Sequence, residues 1–381
     1  MNKKRIGILT QITYKSVNYG NYLQSFALNN YINNNYPHVT AETLLLKEET
    51  GFKYTTIKSF LRHHYIKIKR GTFRFILGIQ RVKSRYTRFV DFAQNNIVLS
   101  KNNITISEIE RTEYDALIVG SDVVWYQTPG VIDLPKYLPF YNNTKRRFAY
   151  AASFGNETIP QENEAIVRDY LNRFDGIGVR EKSAISLLSS IGINGAIQNC
   201  DPTMLLTPDE WMSVAQKPSI IDNESIKEYV FAYFLGNSEQ QISKVSEYFN
   251  KDGIRVLYVP YVNGLIGRKD SDTTALIDCS PQEWVWLIEN AKYVITDSFH
   301  GLVFSILFKK QFVSITRVFN ENINSRITDL LKTVSAENKL IDIDDLKKIE
   351  DLSWDSQDYI EKISTLVDSS KTYIEEIIED L

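Results

Sequence analysis

Cysteine is almost absent from this 381-residue chain, which contains only Cys200 and Cys279. Two cysteines so far apart give no sign of a disulfide framework or a zinc cluster, so a reducing, cytoplasmic setting is expected. No run approaches the roughly 18 apolar residues that a transmembrane helix needs. The first residues, MNKKRIGILTQ, are basic and then apolar for too short a stretch to form a signal peptide, and they predict a first strand.

Several functional signatures are also missing. The formal net charge of −3 argues against a general nucleic-acid binder. No G-x-G-x-x-G or Walker pattern is present, which excludes the common dinucleotide and P-loop sites. His63 and His64 are adjacent and would diverge on a helix. The acidic run Asp270-Ser271-Asp272 has no preceding strand, so we expect no metal site and no cofactor.

Charge is distributed unevenly along the chain. Residues 57–90 contain ten Lys and Arg and no acid, whereas residues 342–381 contain thirteen Asp and Glu against four Lys. The basic run is interleaved with apolar and aromatic residues, a composition typical of a peripheral contact with an anionic membrane or of a wall around an anionic substrate. An ordinary solvated helical face, paired with the acidic tail, is the alternative.

The order of apolar segments predicts an α/β protein. Buried strands and amphipathic helices alternate along most of the chain, which favours parallel sheets covered by helices. The length predicts more than one domain. We expect two Rossmann-like domains facing a cleft, a GT-B-like arrangement, with a C-terminal amphipathic helix that packs back on the body. The predicted boundaries are residues 1–205 with a basic helical insertion at 55–95, residues 206–345, and the terminal helix 346–381.

The strongest candidate for a functional site is the short run Ala291–Lys309. Its first half predicts a buried strand and its second half a buried helix, with Asp297, Ser298, Phe299, His300 and Gly301 in the turn. Ser298 can cap the helix, and the first helical amides carry partial positive charge suited to an anion. Of the four histidines, only His300 has such a setting.

Small polar residues also follow other predicted strands. Ligands of open α/β sheets bind at the carboxyl ends of strands, so these residues are site candidates. The expected contacts to a sugar acceptor are Asn18, Asn21, Gln24, Ser121, Asp122 and Trp125. An aromatic content of 12% suits sugar binding and equally suits an aromatic core.

The ordered motifs from Ile6 to Val313 resemble those of the polysaccharide pyruvyl transferases. The matching stretches are GILTQITYKSVNYGNYLQSFAL, YDALIVGSDVVW, YAASFG, GVREKSA, CDPTMLL and VITDSFHGLVFSILF. The resemblance implies a GT-B-like fold and transfer of a pyruvyl group from phosphoenolpyruvate to sugar hydroxyls, giving a pyruvate ketal on a capsule, cell-wall or exopolysaccharide precursor. The enzyme would be a metal-independent transferase that acts on a lipid-linked or nucleotide-linked glycan.

The resemblance also assigns roles at the turn. The family's essential His corresponds to His300, which would act as general acid and base near neutral pH. Asp297 is expected to orient His300 or to cap the turn. The family's Arg of the VRE type corresponds to Arg180, a ligand for the donor anion. Ser298 and Gly301 would complete the donor site.

One position departs from the family pattern. Ser298 stands where characterised members often carry Arg, so this chain resembles an SFHG branch. Another cation would have to replace that Arg: Arg317 is the residue we assign to the donor, with Arg326, Lys309 and Lys310 as other sources. A GT-B glycosyltransferase using a nucleotide sugar is the first alternative function, and a non-catalytic glycan-binding subunit is the second. A homo-oligomer is an expected state.

Overall fold

The chain forms two compact units. The computed structural model describes residues 3–13, 16–47, 52–54, 79–101, 104–139, 145–235, 238–260, 273–316, 324–351 and 356–381. The first unit takes the described residues within Met1–Thr72, Ala93–Leu205 and Thr365–Leu381, and the second those within Phe73–Phe92 and Leu206–Ser364. The domain boundaries from the sequence stay predictions.

Strands and helices alternate along the described residues. The strands are β1 (Lys4–Leu9), β2 (Val39–Thr43), β3 (Phe52–Tyr54), β4 (Ala116–Val119), β5 (Val131–Asp133), β6 (Arg146–Ala152), β7 (Gly176–Val179), β8 (Ile197–Gln198), β9 (Tyr229–Tyr233), β10 (Arg255–Tyr258), β11 (Thr273–Ala275), β12 (Tyr293–Thr296), β13 (Gln311–Ile315) and β14 (Leu340–Ile341). The helices are α1 (Tyr19–Asn35), α2 (Ile79–Asn96), α3 (Ile106–Arg111), α4 (Gln161–Leu171), α5 (Lys182–Ser190), α6 (Pro208–Val214), α7 (Ser219–Asn223), α8 (Ser238–Phe249), α9 (Pro281–Glu289), α10 (Phe299–Leu307), α11 (Asn324–Thr333), α12 (Lys348–Asp351) and α13 (Ser356–Glu379).

The first unit is built on a parallel sheet of six described strands in the order β2-β1-β4-β6-β7-β8. Its central strands are almost wholly buried, which explains their continuous apolar sequence. From β1 the chain first adds β2 on one side and later β4, β6, β7 and β8 on the other. The direction of winding therefore reverses between β1 and β4, and we call the carboxyl ends of these two strands the first switch point.

The second unit repeats this plan. Its six described strands are parallel and run in the order β11-β10-β9-β12-β13-β14. The chain adds β10 and β11 on one side of β9 and then β12, β13 and β14 on the other. Winding reverses between β9 and β12, whose carboxyl ends form the second switch point. Two parallel α/β sheets confirm the fold class expected from the sequence.

Two helices of the second unit begin with a capping box, a local sequence signal for a helix start. Thr207 and Glu210 form its reciprocal hydrogen bonds at the start of α6, as do Ser280 and Glu283 at the start of α9. The C-terminal helix α13 does pack back. Its Tyr373 hydroxyl donates to the Ala149 carbonyl of β6 at 3.2 Å.

The basic run lies partly outside the described residues, since only 79–90 of residues 57–90 are described. Within α2, Arg85 is buried and its Nη1 donates to the Pro260 carbonyl at 2.8 Å. Arg88 forms a bidentate pair with Glu283, with Nη1–Oε2 and Nη2–Oε1 distances of 2.5 and 2.9 Å. These two cations serve contacts within the second unit, and the membrane contact stays a prediction. Among the described helices, none is both long and apolar enough to cross a bilayer.

Candidate active site

The strand–turn–helix around His300 forms as the sequence predicts. Buried strand β12 ends at Thr296, and α10 begins at Phe299, directly after its N-cap residue Ser298. The Ser298 hydroxyl accepts a hydrogen bond from the Gly301 amide at 3.3 Å. The first amides of such a helix have no acceptor within the helix and carry partial positive charge. The turn therefore offers an electropositive backbone edge.

Two side chains lock this turn to the neighbouring strand β9. The Thr296 hydroxyl donates to the Tyr233 carbonyl at 2.6 Å. The Asp297 carboxylate, fully buried, accepts from the Leu235 amide, also at 2.6 Å. Asp297 thus fixes the second switch point, and its orientation of His300 stays a prediction.

Gly301 is required by the tightness of this turn. A Cβ atom at this position would lie 2.5 Å from the Thr296 Oγ1 and 3.0 Å from its Cβ and Cγ2. Real Cβ contacts are not so short, so only glycine lets the first helical turn approach the end of β12. This close approach holds His300, the preceding residue, against the carboxyl end of the sheet.

The Arg326 guanidinium lies near His300, and the Phe299 ring contacts both side chains. The His300 side chain is 7% exposed, and its ring meets the edge of the Phe299 ring at 5.4 Å between centroids. The Arg326 guanidinium, from α11, lies over the Phe299 ring at 5.9 Å from the centroid. This places a positive charge beside the turn that contains Ser298 and His300.

The other cations proposed for that role are placed differently. Lys309 and Lys310 follow the far end of α10, nine residues long, which spans about 13 Å. The Lys310 ammonium donates to the Glu289 carbonyl at 2.6 Å, and burial lowers its pKa against the opposing effect of Glu289. Arg317 lies outside the described residues.

In the first unit, Arg180 is buried among carboxylates. Its Nη1 donates to Asp201 Oδ2 at 2.9 Å, and its Nη2 and Nε lie 3.7 and 3.9 Å from carboxylate oxygens of Asp122 and Glu181. Burial alone lowers the pKa of the Arg180 guanidinium, but these three acids together raise it above its ordinary value. The predicted donor ligand is therefore part of an internal ion-pair network, and its contact with a donor anion stays a prediction.

The same network holds Ser121 and Asp122. The Ser121 hydroxyl donates to Asp201 Oδ2 at 3.2 Å. Asp122 has a positive φ of 75°, a conformation uncommon outside glycine, and its Oδ1 accepts from the Val123 amide at 2.8 Å. At 11% side-chain exposure, Asp122 is more accessible than Glu181 at 6% and Asp201 at 0%.

The candidates at the start of α1 are structural partners of the strand ends. Asn18 caps α1 by accepting from the Gly20 amide at 3.0 Å. The Asn21 amide donates to the Gln11 carbonyl at 3.0 Å. The Gln24 amide donates to the Thr10 hydroxyl at 2.7 Å, immediately after β1. Of these, Gln24 reaches the first switch point most directly.

Trp125 lies in the core of the first unit. It is fully buried, its ring stacks on Tyr137 at 5.9 Å between centroids, and its Nε1 donates to the Lys136 carbonyl at 2.9 Å. The ring that the sequence offered for sugar stacking is thus covered by the protein's own aromatic side chains.

Sequence reasoning missed three residues of the first-unit site. Asp201 and Glu181 belong to motifs that were recognised, CDPTMLL and GVREKSA, and their proximity to the ends of short strands was an available signal. Lys136 carries no sequence signal. Its ammonium is buried and donates to the Thr10 carbonyl across 126 positions of sequence.

Solved structures share this fold at low sequence identity. The UDP-N-acetylglucosamine 2-epimerase of Rickettsia bellii aligns with a TM-score of 0.59 and 11% identity, covering 99% of this chain and 97% of that one. The UDP-GlcNAc 2-epimerase of Methanocaldococcus jannaschii aligns with a TM-score of 0.54 and 11% identity, covering 95% and 92%. At such identity the likeness shows the fold alone, which is GT-B-like.

A comparison of the sequence with models of protein families identifies the family of this chain, which the fold alone does not. No curated protein matches the sequence. The model of the polysaccharide pyruvyl transferase family matches residues 18–317, which include the second switch point, the carboxyl end of β4 and the turn around His300. The chain therefore belongs to the polysaccharide pyruvyl transferase family.

Proposed function

We propose that this protein transfers the pyruvyl group of phosphoenolpyruvate to hydroxyls of a glycan precursor, forming a cyclic ketal. One observation carries the proposal: in a chain of this family, His300 lies in the first turn of α10, directly at the second switch point. Ligands of open α/β sheets bind at such a point. A histidine there can exchange protons near neutral pH.

The chemistry makes defined demands on the site. A proton adds to C3 of phosphoenolpyruvate, and a sugar hydroxyl attacks C2, losing its own proton. Phosphate then leaves C2, and a second hydroxyl of the same sugar closes the ketal as its proton is released. We assign the proton transfers to His300, a role that typically contributes about 10²–10⁴-fold to the rate.

The donor's phosphate and carboxylate require positive charge. The amides at the start of α10 supply part of it. Arg326 is the described cation that we assign as the replacement for the family's Arg, because Phe299 places it beside His300. The assignments of Arg317, Ser298 and Gly301 to the donor site are retained as predictions, and so is the absence of a metal or cofactor requirement.

The acceptor is proposed to be a lipid-linked or nucleotide-linked glycan for a capsule or cell-wall polymer. Residues 57–90 would then hold the enzyme on an anionic membrane surface near that acceptor. Co-sedimentation with anionic vesicles at low salt tests this contact. Protein that stays in the supernatant at every lipid concentration would refute it.

Ligand-observed NMR tests the donor. Phosphoenolpyruvate is titrated against wild type, His300→Ala and the matched control His38→Ala, whose side chain is exposed in the first unit. Saturable binding by wild type and the control, weakened in His300→Ala, supports the proposal.

Two other outcomes of the titration would favour a different function over pyruvyl transfer. The related solved structures include a Methanocaldococcus jannaschii UDP-GlcNAc 2-epimerase in complex with UDP-GlcNAc and UDP. A panel of nucleotide sugars is therefore titrated in parallel. Binding of a nucleotide sugar without phosphoenolpyruvate would favour a glycosyltransferase. Glycan binding alone, unchanged in His300→Ala, would favour a non-catalytic subunit.

A further inference from the structure

The first unit has a switch point of its own that the donor chemistry does not use. At both switch points a threonine at the end of one central strand bonds to the end of the other. Thr296 donates to Tyr233 in the second unit, and Thr10 donates to the Ser121 carbonyl at 2.9 Å in the first. The geometry that supports His300 thus recurs at the ends of β1 and β4.

Thr10 accepts hydrogen bonds from two further polar side chains, those of Gln24 and Lys136. Gln24 Nε2 donates to its hydroxyl at 2.7 Å, and the Lys136 ammonium donates to its carbonyl. Gln24 is fully buried, and Lys136 is 7% exposed. Both side chains therefore bind the same residue at the first switch point, Gln24 at the hydroxyl of Thr10 and Lys136 at its carbonyl.

The carbonyl oxygen of the Gln24 side chain lacks a hydrogen-bond partner in the described part of the chain. Leaving a buried acceptor unsatisfied costs about 1–3 kcal/mol. An amide oxygen accepts hydrogen bonds and cannot donate them. Only a group with an O–H or N–H donor can satisfy it, and an ionised carboxylate or a fully ionised phosphate monoester such as phosphoenolpyruvate has no such donor.

The charged groups near the first switch point also favour a ligand that donates hydrogen bonds. Asp122, the most accessible acid of the Arg180 network, is likewise an acceptor when ionised. Three carboxyl groups, those of Asp122, Glu181 and Asp201, lie 2.9–3.9 Å from nitrogen atoms of the Arg180 guanidinium. With the Lys136 ammonium at Thr10, the formal count is three acids against two cations, which leaves an excess of negative charge. Such an environment disfavours an anion and suits a polyhydroxylated ligand.

Arg180 is committed to this network. Its closest carboxylate, Asp201, also accepts from the Thr203 hydroxyl at 2.8 Å and from the Ser121 hydroxyl. The guanidinium therefore lies between a fully buried acid and the more accessible Asp122. Its position is that of a group that orients the Asp122 carboxylate, whose Oδ1 lies 3.7 Å from Nη2.

We infer that the first switch point is a hydroxyl-binding subsite for a sugar, with Gln24 and Asp122 accepting hydrogen bonds from its hydroxyls. Lys136 lines the subsite, and Arg180 is a positioning residue for Asp122 rather than a ligand of the donor anion. The identification of that sugar as the acceptor rests on the proposed function, whereas the binding of hydroxyls does not.

Saturation-transfer NMR on the full chain tests the subsite. The hydroxyl probes are methyl β-glucoside, methyl β-galactoside and methyl N-acetyl-β-glucosaminide, and the anion probes are inorganic phosphate and phosphoenolpyruvate. The variants are Gln24→Met, Asp122→Asn and Arg180→Lys, with Gln161→Met as an exposed control. Asparagine tolerates a positive φ and retains the acceptor used by Val123, so Asp122→Asn is expected to fold.

The inference predicts that a glycoside binds wild type and the control. Its affinity should fall about three- to tenfold in Gln24→Met and in Asp122→Asn, because each loses a hydrogen bond to a hydroxyl. Phosphoenolpyruvate affinity should stay within twofold in these variants and in Arg180→Lys, while it falls in His300→Ala. Arg180→Lys should weaken the glycoside alone.

Each contrary result is distinct. Absence of glycoside binding to wild type overturns the subsite, and unchanged affinity in Gln24→Met shows that Gln24 holds an ordered water only. Loss of phosphate or phosphoenolpyruvate binding in Asp122→Asn or Arg180→Lys shows an anion site instead. Glycoside binding that follows the expected pattern without any phosphoenolpyruvate binding leaves the subsite intact and overturns the proposed function.

Discussion

Arg180 and Asp201 form a buried ion pair, with Nη1 and Oδ2 2.9 Å apart and side-chain exposures of 2% and 0%. Asp201 also accepts from the Thr203 amide and hydroxyl at 3.1 and 2.8 Å. Removing one partner of such a pair leaves a buried charge without compensation, which is more damaging than the loss of an exposed pair.

Asp201→Ala is therefore expected to lower the free energy of unfolding of the first unit by about 3–5 kcal/mol. Lys4→Ala breaks an exposed pair with Asp115 and should cost less than about 1 kcal/mol. Urea unfolding followed by circular dichroism measures both. If the two variants lose the same free energy of unfolding, the buried Arg180–Asp201 pair is no more important for stability than an exposed pair.

Arg326→Ala is expected to weaken phosphoenolpyruvate binding by about 10- to 100-fold, since a hydrogen bond to a charged group contributes about 1.5–3 kcal/mol. Arg173→Ala is the matched control, because Arg173 also lies over an aromatic ring, that of Tyr170, at 4.7 Å. Calorimetric titration gives both affinities. An unchanged affinity in Arg326→Ala would return the role to Arg317.

Gly301→Ala is expected to destabilise the second unit by about 1–3 kcal/mol through overpacking. The added methyl group meets Thr296 Oγ1 at 2.5 Å. Thermal unfolding of the single variant and of Gly301→Ala with Thr296→Ala measures the coupling. If the double variant is destabilised by the full sum of the two single changes, the steric explanation is wrong.

Lys339 makes stability depend on pH. Burial lowers the pKa of its ammonium from 10.5 to about 8. Between these values the unfolded chain binds more protons than the folded one, so the free energy of unfolding rises with pH from about 8 to 10.5 and is lowest below pH 8.

Lys339→Met should therefore raise the free energy of unfolding at pH 7, by up to about 3 kcal/mol, and flatten the rise above pH 8. The contact of the Lys339 ammonium with the Phe312 ring, at 5.9 Å, favours the charged form and reduces this gain. Urea unfolding at pH 7 and 9.5 provides the measurement. Lys332→Met, at an exposed position, should leave the pH profile unchanged.

The sequence by itself determined the local structure. The strand–turn–helix around His300 and the capping boxes of α6 and α9 depend on residues within a few positions of one another, so their patterns are legible in one dimension. Short strands such as β11 and β14, of three and two residues, escaped prediction because so few residues show no period.

Only the tertiary structure decided which groups meet. Strand order places His300 at a winding reversal, and pairing between distant segments brings Lys136 to Thr10 and Arg326 to the ring beside His300. It also turned Arg180 inward to Asp201 and Trp125 into the core. These outcomes depend on contacts between residues far apart in the chain, and a residue's type and neighbours do not specify which distant side chain will share its burial.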